Sequence, residues 1–451
     1  MLNIEDDNLA LKLFTEDGIT LGSDLEVTLH EMNNHARAKS GLKFWSSVKS
    51  GDIGTDGRTS IFKYLVEIRP EPELLPVYLT QNIVSIIERE IKKSASLKAL
   101  RWVSGTGSFL SKDVVGDSDI TVPFLPKGGH IHFGGTKIDN LAVVCFDMLL
   151  APLLLLLENP VEAIIRRFTV FPFNGGTYYG QLGGAKVSHG ASWEYRTLPC
   201  FARSFDFTEA VFAIAKAILH ETTYNRVAFR KRIINKKRTL TVDPLMFNLC
   251  YKPHFYSKVG SIVKILKSLE LLKTPYGKKC IQTLIRPILS GYYWSPISNI
   301  LQEFDIINTT KKKTKPKQGA SGYICYCCDT TAGDRISNSS VSLFSNYSPR
   351  DPINSSLITS ISAGSSYLWS TFRIEKSKNF SMGTRAVQHN EEIKSFIVNS
   401  LRNIRNYWRS STSFVIPAIG GRHPAVTINY DSNSVYDEIN SYINSLLDQL
   451  S

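Results

Sequence analysis

Several patterns that would place a chain quickly are missing here. No apolar run is both long and unbroken enough to cross a bilayer. The strongest, Leu141 to Leu157, is interrupted by Asp147 and Pro152. It falls at the bottom of the spanning range and reads as a buried helix pair, with helix starts at Asn140 and at Asn159-Pro160. The opening Met1 to Asp7 is acidic and lacks the basic-then-apolar order of a secretory signal. Cysteine is scarce and odd in number, 7 in all, which fits reduced thiols and argues against a disulfide framework. Together these lead to the expectation of a cytoplasmic protein without a membrane anchor.

Other absences narrow the chemistry. Tyr323-Ile-Cys325-Tyr-Cys327-Cys328 has no second ligand pair at the spacing that a tetrahedral zinc site needs, so these cysteines read as reduced thiols in a strand. Neither Ser104-Gly-Thr-Gly-Ser108 nor the glycine-rich stretch Gly175 to Gly190 matches Gly-x-x-x-x-Gly-Lys-Ser/Thr, which argues against a P-loop. No internal repeat is visible. Acid is outnumbered by base, 40 Asp and Glu against 53 Lys and Arg, a net charge of +13. That balance favours polyanions: nucleotide phosphates, nucleic acid or acidic substrates. The densest basic runs, Arg226 to Arg238 and Lys311 to Lys317, carry no interleaved aromatic platform, so an exposed helix face and a linker are favoured over a nucleic-acid surface.

What is present is a globular composition, 43% hydrophobic with 23 Phe, 19 Tyr and 6 Trp, over a length that suggests two or three domains. The most informative stretch is Gly128-Gly129-His130-Ile131-His132-Phe133-Gly134-Gly135. In an extended chain the period of two sets both imidazoles on one face and Ile131 and Phe133 on the other. The flanking glycines let backbone or ligand come close.

Three further segments alternate in the same way. Leu21 to Leu29 puts Asp24, Glu26 and Thr28 on one side and Leu25, Val27 and Leu29 on the other. Tyr64 to Pro70 sets Glu67 beside Arg69, with Pro70 ending the strand. Trp193 to Pro199 repeats this with Glu194 and Arg196. Any one of these is an ordinary half-solvated strand. Sharing one sheet, they would gather carboxylates, imidazoles and guanidiniums on a single face. Such a face suits Mg²⁺ or Mn²⁺ through oxygen and nitrogen donors, and phosphate through arginine forks.

Gly129-His130-Ile-His132 and Glu194-Tyr-Arg196-Thr-Leu-Pro199 resemble the Gly-x-His-x-His and Glu-x-Arg-x-Pro motifs of the glutamine synthetase and glutamate–cysteine ligase superfamily. With Gly22-Ser-Asp24-Leu-Glu26, and Asp56-Gly57 leading into Glu67-Ile-Arg69-Pro70, the order is most similar to the phage-associated carboxylate–amine ligases of the phiEco32 type. The resemblance runs over roughly residues 20 to 205, with Asp24-Leu25-Glu26 standing where that family has Asp-Pro-Glu.

The resemblance implies an α+β fold with a curved antiparallel sheet, flanking helices and an additional C-terminal region. It also implies ATP with two or three Mg²⁺ ions, and amide formation between a small-molecule or peptide carboxylate and an amine through an acyl phosphate. Carried over by position, Glu26, Glu67, His130 and Glu194 would be metal ligands, and Arg196 would neutralise the transferring phosphate. His132 would touch nucleotide or metal, and Arg69 the substrate carboxylate or phosphate.

Arg166 and Arg167, at a helix end, are further nucleotide candidates against the reading of a solvated end. Lys186 and His189, in a glycine-rich loop, are candidate ligand contacts against that of a plain connection. The expected organisation is a ligase core over 1–245, in which Phe207 to His220 is a packed helix. A helical segment follows over 246–310, then a basic linker over 311–320. The region 321–451 has no legible role, with helices at Glu391 to Trp408 and Val435 to Leu450. Two rival readings stay open: a basic binding protein that keeps the fold without turnover, and a metal-dependent hydrolase.

Overall fold

The computed structural model describes residues 12–32, 34–45, 51–56, 60–109, 124–137, 139–158, 160–168, 179–187, 192–240, 242, 247, 250, 252–289 and 299–307, with 402, 413–416, 426–429 and 444 beyond. The cysteines at 325, 327 and 328, His189, the basic linker and both expected C-terminal helices (apart from Arg402 and Asn444) lie outside the described residues.

The organising element is a long strand, β1 (Thr20–Glu31), which pairs with neighbours along both edges. On one edge Thr20 to Leu25 pairs with β8 (Gly129–Gly134) and Thr28 to Glu31 with β5 (Leu100–Val103). On the other, Leu25 to Thr28 pairs with β4 (Leu65–Ile68), and the end of β1 with β2 (Asn34–Lys39). The sheet continues outward through β3 (Ile53–Thr55) beside β4, and through β10 (Trp193–Tyr195) and then β9 (Ala185–Val187) beside β8. All its pairings are antiparallel and it does not close into a barrel. A small ribbon, β6 (Gly107–Phe109) with β7 (Phe124–Pro126), stands next to it, and two strands near the C-terminus, Ser413–Ile416 and Val426–Asn429, pair with each other. This is the α+β, antiparallel architecture expected from the sequence.

The alternation legible in the sequence decides which face is packed. Leu21, Leu25, Val27, Leu29, Val66, Ile68, Ile131, Phe133, Trp193 and Tyr195 are buried in the core. Helices cover that face: α1 (Pro76–Lys93), α2 (Asn140–Leu149), α3 (Ala151–Leu155), α4 (Pro160–Phe168) and α5 (Phe205–Tyr224). Behind the paired histidines, Phe146 of α2 stacks on Phe133 with ring centroids 5.3 Å apart and sits 4.9 Å from the ring of Tyr195. Lys216 on α5 is buried and donates to the carbonyls of Ile19 and Leu74, with Asp17 at 3.0 Å. It pins the helix to the start of β1. After α6 (Arg226–Asn235), the helices α7 (Lys252–Leu266) and α8 (Pro275–Leu289) pack onto the same layer, α8 along α5.

The apolar run from Leu141 is indeed two helices, broken where Pro152 opens α3. Among the described residues no helix is long and apolar enough to cross a membrane. The cap of α2 is Asp139, whose carboxylate accepts from Leu141 N at 2.8 Å and also meets Arg226. Asn140 is the first helical residue. Asp139→Ala is expected to cost about 1 kcal/mol by loss of that cap, measurable as a shift in the urea midpoint.

Burial of a lysine in this helical layer has a pH signature. Lys252, at the start of α7, is buried and donates to Leu156 O at 2.8 Å, and burial pushes its ammonium down from the usual 10.5 to about 7. Between these values the unfolded chain holds a proton that the native chain lacks, so stability rises with pH across that window. Lys252→Met is expected to flatten the rise, read from urea unfolding at pH 7 and pH 9.5.

Candidate active site

Residues directly opposite in antiparallel strands point to the same side, so the register assembles the polar face. Asp24 pairs with His130 and Gly22 with His132. Glu26 pairs with Glu67, Glu194 with both His132 and Lys186, and Gly54 with Glu67. The strands carrying Glu67, Glu26, His130 and Glu194 are therefore four consecutive neighbours, β4-β1-β8-β10. Arg69 and Arg196 extend just past their strand ends on the same side.

At the centre the groups are buried and in contact. His130 Nδ1 lies 3.2 Å from Glu194 Oε1, and its Nε2 3.8 Å from Glu26 Oε1. Arg196 Nε is 2.9 Å from Glu194 Oε1, and Arg69 Nη1 donates to Glu67 Oε2 at 3.1 Å. Toward solvent, His132 Nε2 lies 3.1 Å from Asp24 Oδ2, both side chains about a quarter exposed (22% and 24%). The remaining edge of Arg69, Nε with Nη2, is shielded from water and has no hydrogen-bond partner among the described residues. A guanidinium edge of that shape matches the two oxygens of a carboxylate or phosphate.

Electrostatics on this face runs against the usual ionisation states. Burial pushes Glu26 up to about 8, reinforced by Asp56 and opposed by the Tyr179 hydroxyl and Gly128 N–H. Burial also raises Glu67 well above the usual carboxylate range, with Asp56, Glu26 and Asp24 adding repulsion. His130 is held well below its ordinary value by burial and by Arg196. For His132 burial works against the charged ring, but Asp24 beside it prevails and raises it. Carboxylates that resist ionising because they are buried beside one another are stabilised in their charged form by a cation among them.

Hard oxygen donors with imidazole form the set that Mg²⁺ or Mn²⁺ takes. The donor chemistry of Glu26, Glu67, His130 and Glu194 therefore fits such an ion. In this structure the same groups are turned onto protein partners, and among the described residues no three of His, Cys, Asp or Glu are arranged to hold a metal.

One residue central to the geometry, Tyr179, carries no signal in the sequence patterns. Tyr179 reaches from the glycine-rich segment so that its hydroxyl lies 2.8 and 2.7 Å from the two Glu26 oxygens and 2.9 Å from His130 Nε2. One phenolic hydrogen cannot satisfy three acceptors, and a proton on Glu26, which burial favours, resolves the shortfall. Gly128 donates its N–H to Glu26. A Cβ there would stand 2.3 Å from His130 Nε2 and 2.7 Å from the Tyr179 hydroxyl, so only glycine fits. Lys127, next to it, is buried and donates to Val103 O, Ser104 O and Ser108 Oγ, tying the β6–β7 ribbon to the sheet.

The two helix-end arginines differ from expectation. Arg167 is wholly buried, 2.5 Å from Glu158 through Nη2, and also donates to Ala163 O and Gly180 O. Its guanidinium is consumed by the interior, so it neither reaches a nucleotide nor marks a solvated helix end. Arg166 is also buried, bonded to the carbonyls of Thr197 and Leu198, and its guanidinium lies over the Tyr179 ring at 5.1 Å. It backs the site from one residue away instead of facing a ligand. Lys186 is exposed on β9 opposite Glu194. Leu25, between Asp24 and Glu26, is buried on the opposite face.

The model of the phage phiEco32-like COOH.NH2 ligase-type 2 family matches residues 21–305. No curated protein sequence matches the chain. Among solved structures, a bifunctional glutathione synthetase from Pasteurella multocida aligns at 11% identity and a TM-score of 0.27, over 65% of this chain and 55% of that one. The chain thus spans little more than half the length of that protein. The ligase PafA, solved in complex with the prokaryotic ubiquitin-like protein Pup, aligns at 9% identity and a TM-score of 0.32, over 96% of this chain and 94% of that one. The family match covers all four strands of the polar face and the helices behind them, and the chain belongs to the phage phiEco32-like COOH.NH2 ligase-type 2 family, a family of carboxylate–amine ligases.

Proposed function

We infer that this chain joins a carboxylate to an amine at the cost of ATP, activating the acid as an acyl phosphate on the polar face of the sheet. The observation that carries the reading is the placement of Glu67, Glu26, His130 and Glu194 on consecutive strands, with Arg69 and Arg196 at its margins.

A carboxylate is a poor electrophile at neutral pH, and phosphorylation gives it a leaving group. Amine attack then forms the C–N bond as the C–O bond to phosphate breaks, the amine proton passing to solvent or base. In this assignment Glu26, Glu67, His130 and Glu194 hold Mg²⁺. The ion shields phosphate charge and polarises the transferring group when bound. Arg196, anchored by Glu194, meets charge that grows during transfer. The free edge of Arg69 orients an oxyanion, His132 and Lys186 contact the nucleotide, and no covalent protein nucleophile is required. ATP in the cytoplasm, of the host for a phage-encoded chain, would supply the phosphoryl group.

The test uses amino acids as trial acids and hydroxylamine as the amine, since it traps acyl phosphates as hydroxamates, which ferric iron then colours. ADP and phosphate should appear with the hydroxamate, and only when Mg²⁺, acid and amine are all present. Turnover without nucleotide would favour a hydrolase. No turnover with salt-sensitive nucleic-acid affinity, lost on neutralising Arg230 and Lys231, would favour a binding protein.

A further inference from the structure

We propose that Tyr179 is a positioning residue whose hydroxyl competes with a divalent cation for Glu26 and His130, and that the site takes its ion only as this hydroxyl leaves. The proposal rests on the reading of the same face as a cation site.

Both Glu26 oxygens and His130 Nε2 lie within 2.9 Å of the single Tyr179 oxygen, which therefore occupies the position from which these two side chains would jointly coordinate. A phenol hydroxyl is a weak cation ligand beside a carboxylate, but a good hydrogen-bond partner, so it lies against the pair without neutralising the face. The ring is held from behind by the Arg166 guanidinium at 5.1 Å, itself fixed on the carbonyls of Thr197 and Leu198. Gly180 follows with φ +73°, and a Cβ there would lie 2.3 Å from that guanidinium. The backbone thus delivers Tyr179 to one place, while the hydroxyl contacts are the part that an ion can replace.

The sign of the effect separates competition from support. If Tyr179 merely props Glu26 in position, removing its hydroxyl weakens ion binding; if it competes, removal strengthens it. Mn²⁺ is the probe, titrated into the full-length chain with free Mn²⁺ followed by electron paramagnetic resonance. Tyr179→Phe, which keeps the ring over Arg166, is expected to bind Mn²⁺ about three- to tenfold more tightly than the native chain, the worth of one hydrogen bond. Glu26→Gln is expected to lose most of the affinity.

Unchanged or weaker binding by Tyr179→Phe, with Glu26→Gln impaired, overturns the proposal and leaves the cation site standing. Native-like binding by Glu26→Gln, or no binding by either the native chain or Tyr179→Phe, overturns both. An independent reading uses the native chain alone. Acetylation of Tyr179 by N-acetylimidazole, located by mass spectrometry, should quicken when Mn²⁺ is added, and protection by Mn²⁺ would overturn the proposal.

Discussion

Glu194→Ala and Arg196→Ala should each lower amine-dependent ADP release by about 10²- to 10³-fold, the usual cost of removing one preorganised charge partner from a transition state. The two are expected to act as a unit. Glu194 is contacted by His130 Nδ1 at 3.2 Å and by Arg196 Nε at 2.9 Å, so losing the carboxylate takes away the arginine's ion partner, and losing the arginine leaves a buried carboxylate less compensated. The double variant should therefore be little worse than either single one. The measurement is ADP release with hydroxylamine, alongside urea unfolding to show that the fold survives. Full activity in either variant would remove this face as the site of chemistry.

The second large effect lies in the interior. Arg167→Met is expected to cost about 3–5 kcal/mol in unfolding free energy, because it leaves the wholly buried Glu158 carboxylate without its ion partner. Replacing both, Arg167→Met with Glu158→Leu, should recover most of that loss, since a buried ion pair is often matched by apolar packing of similar volume. Urea unfolding without nucleotide measures both. A stable Arg167→Met chain with impaired nucleotide use would return Arg167 to the list of ligand contacts from which its burial removes it.

Those two arginines show where sequence reasoning fails. A short helix ending in adjacent cations looks solvated, because the pattern gives no sign of what approaches from outside. Here Glu158 arrives from the turn that follows α3, and the carbonyls of Thr197 and Leu198 from the segment after β10.

By contrast, β1, β8 and β10 were legible because a period of two with one polar face is a local property. Their adjacency was not, as it depends on pairing between segments far apart in the chain. Tyr179 left no trace for a similar reason. It sits among glycines without periodicity, and its importance comes entirely from the side chains it meets. Asp56 was visible only as part of a motif, and its repulsion of Glu26 and Glu67 appears only in space.

The place of β1 among its partners also bears on how the chain is made. This strand leaves the ribosome ahead of its partners, and one of its edges stays bare until residues 100 to 134 have been synthesised, while the sheet beyond it waits for residues 185 to 195. During that interval a strand with one apolar face and open backbone donors and acceptors is available to other nascent chains. Slow, late closure of such distant pairings is the rule for topologies of this kind. Yield in the cell should accordingly respond to translation speed and chaperone supply more than to the final stability of the folded molecule.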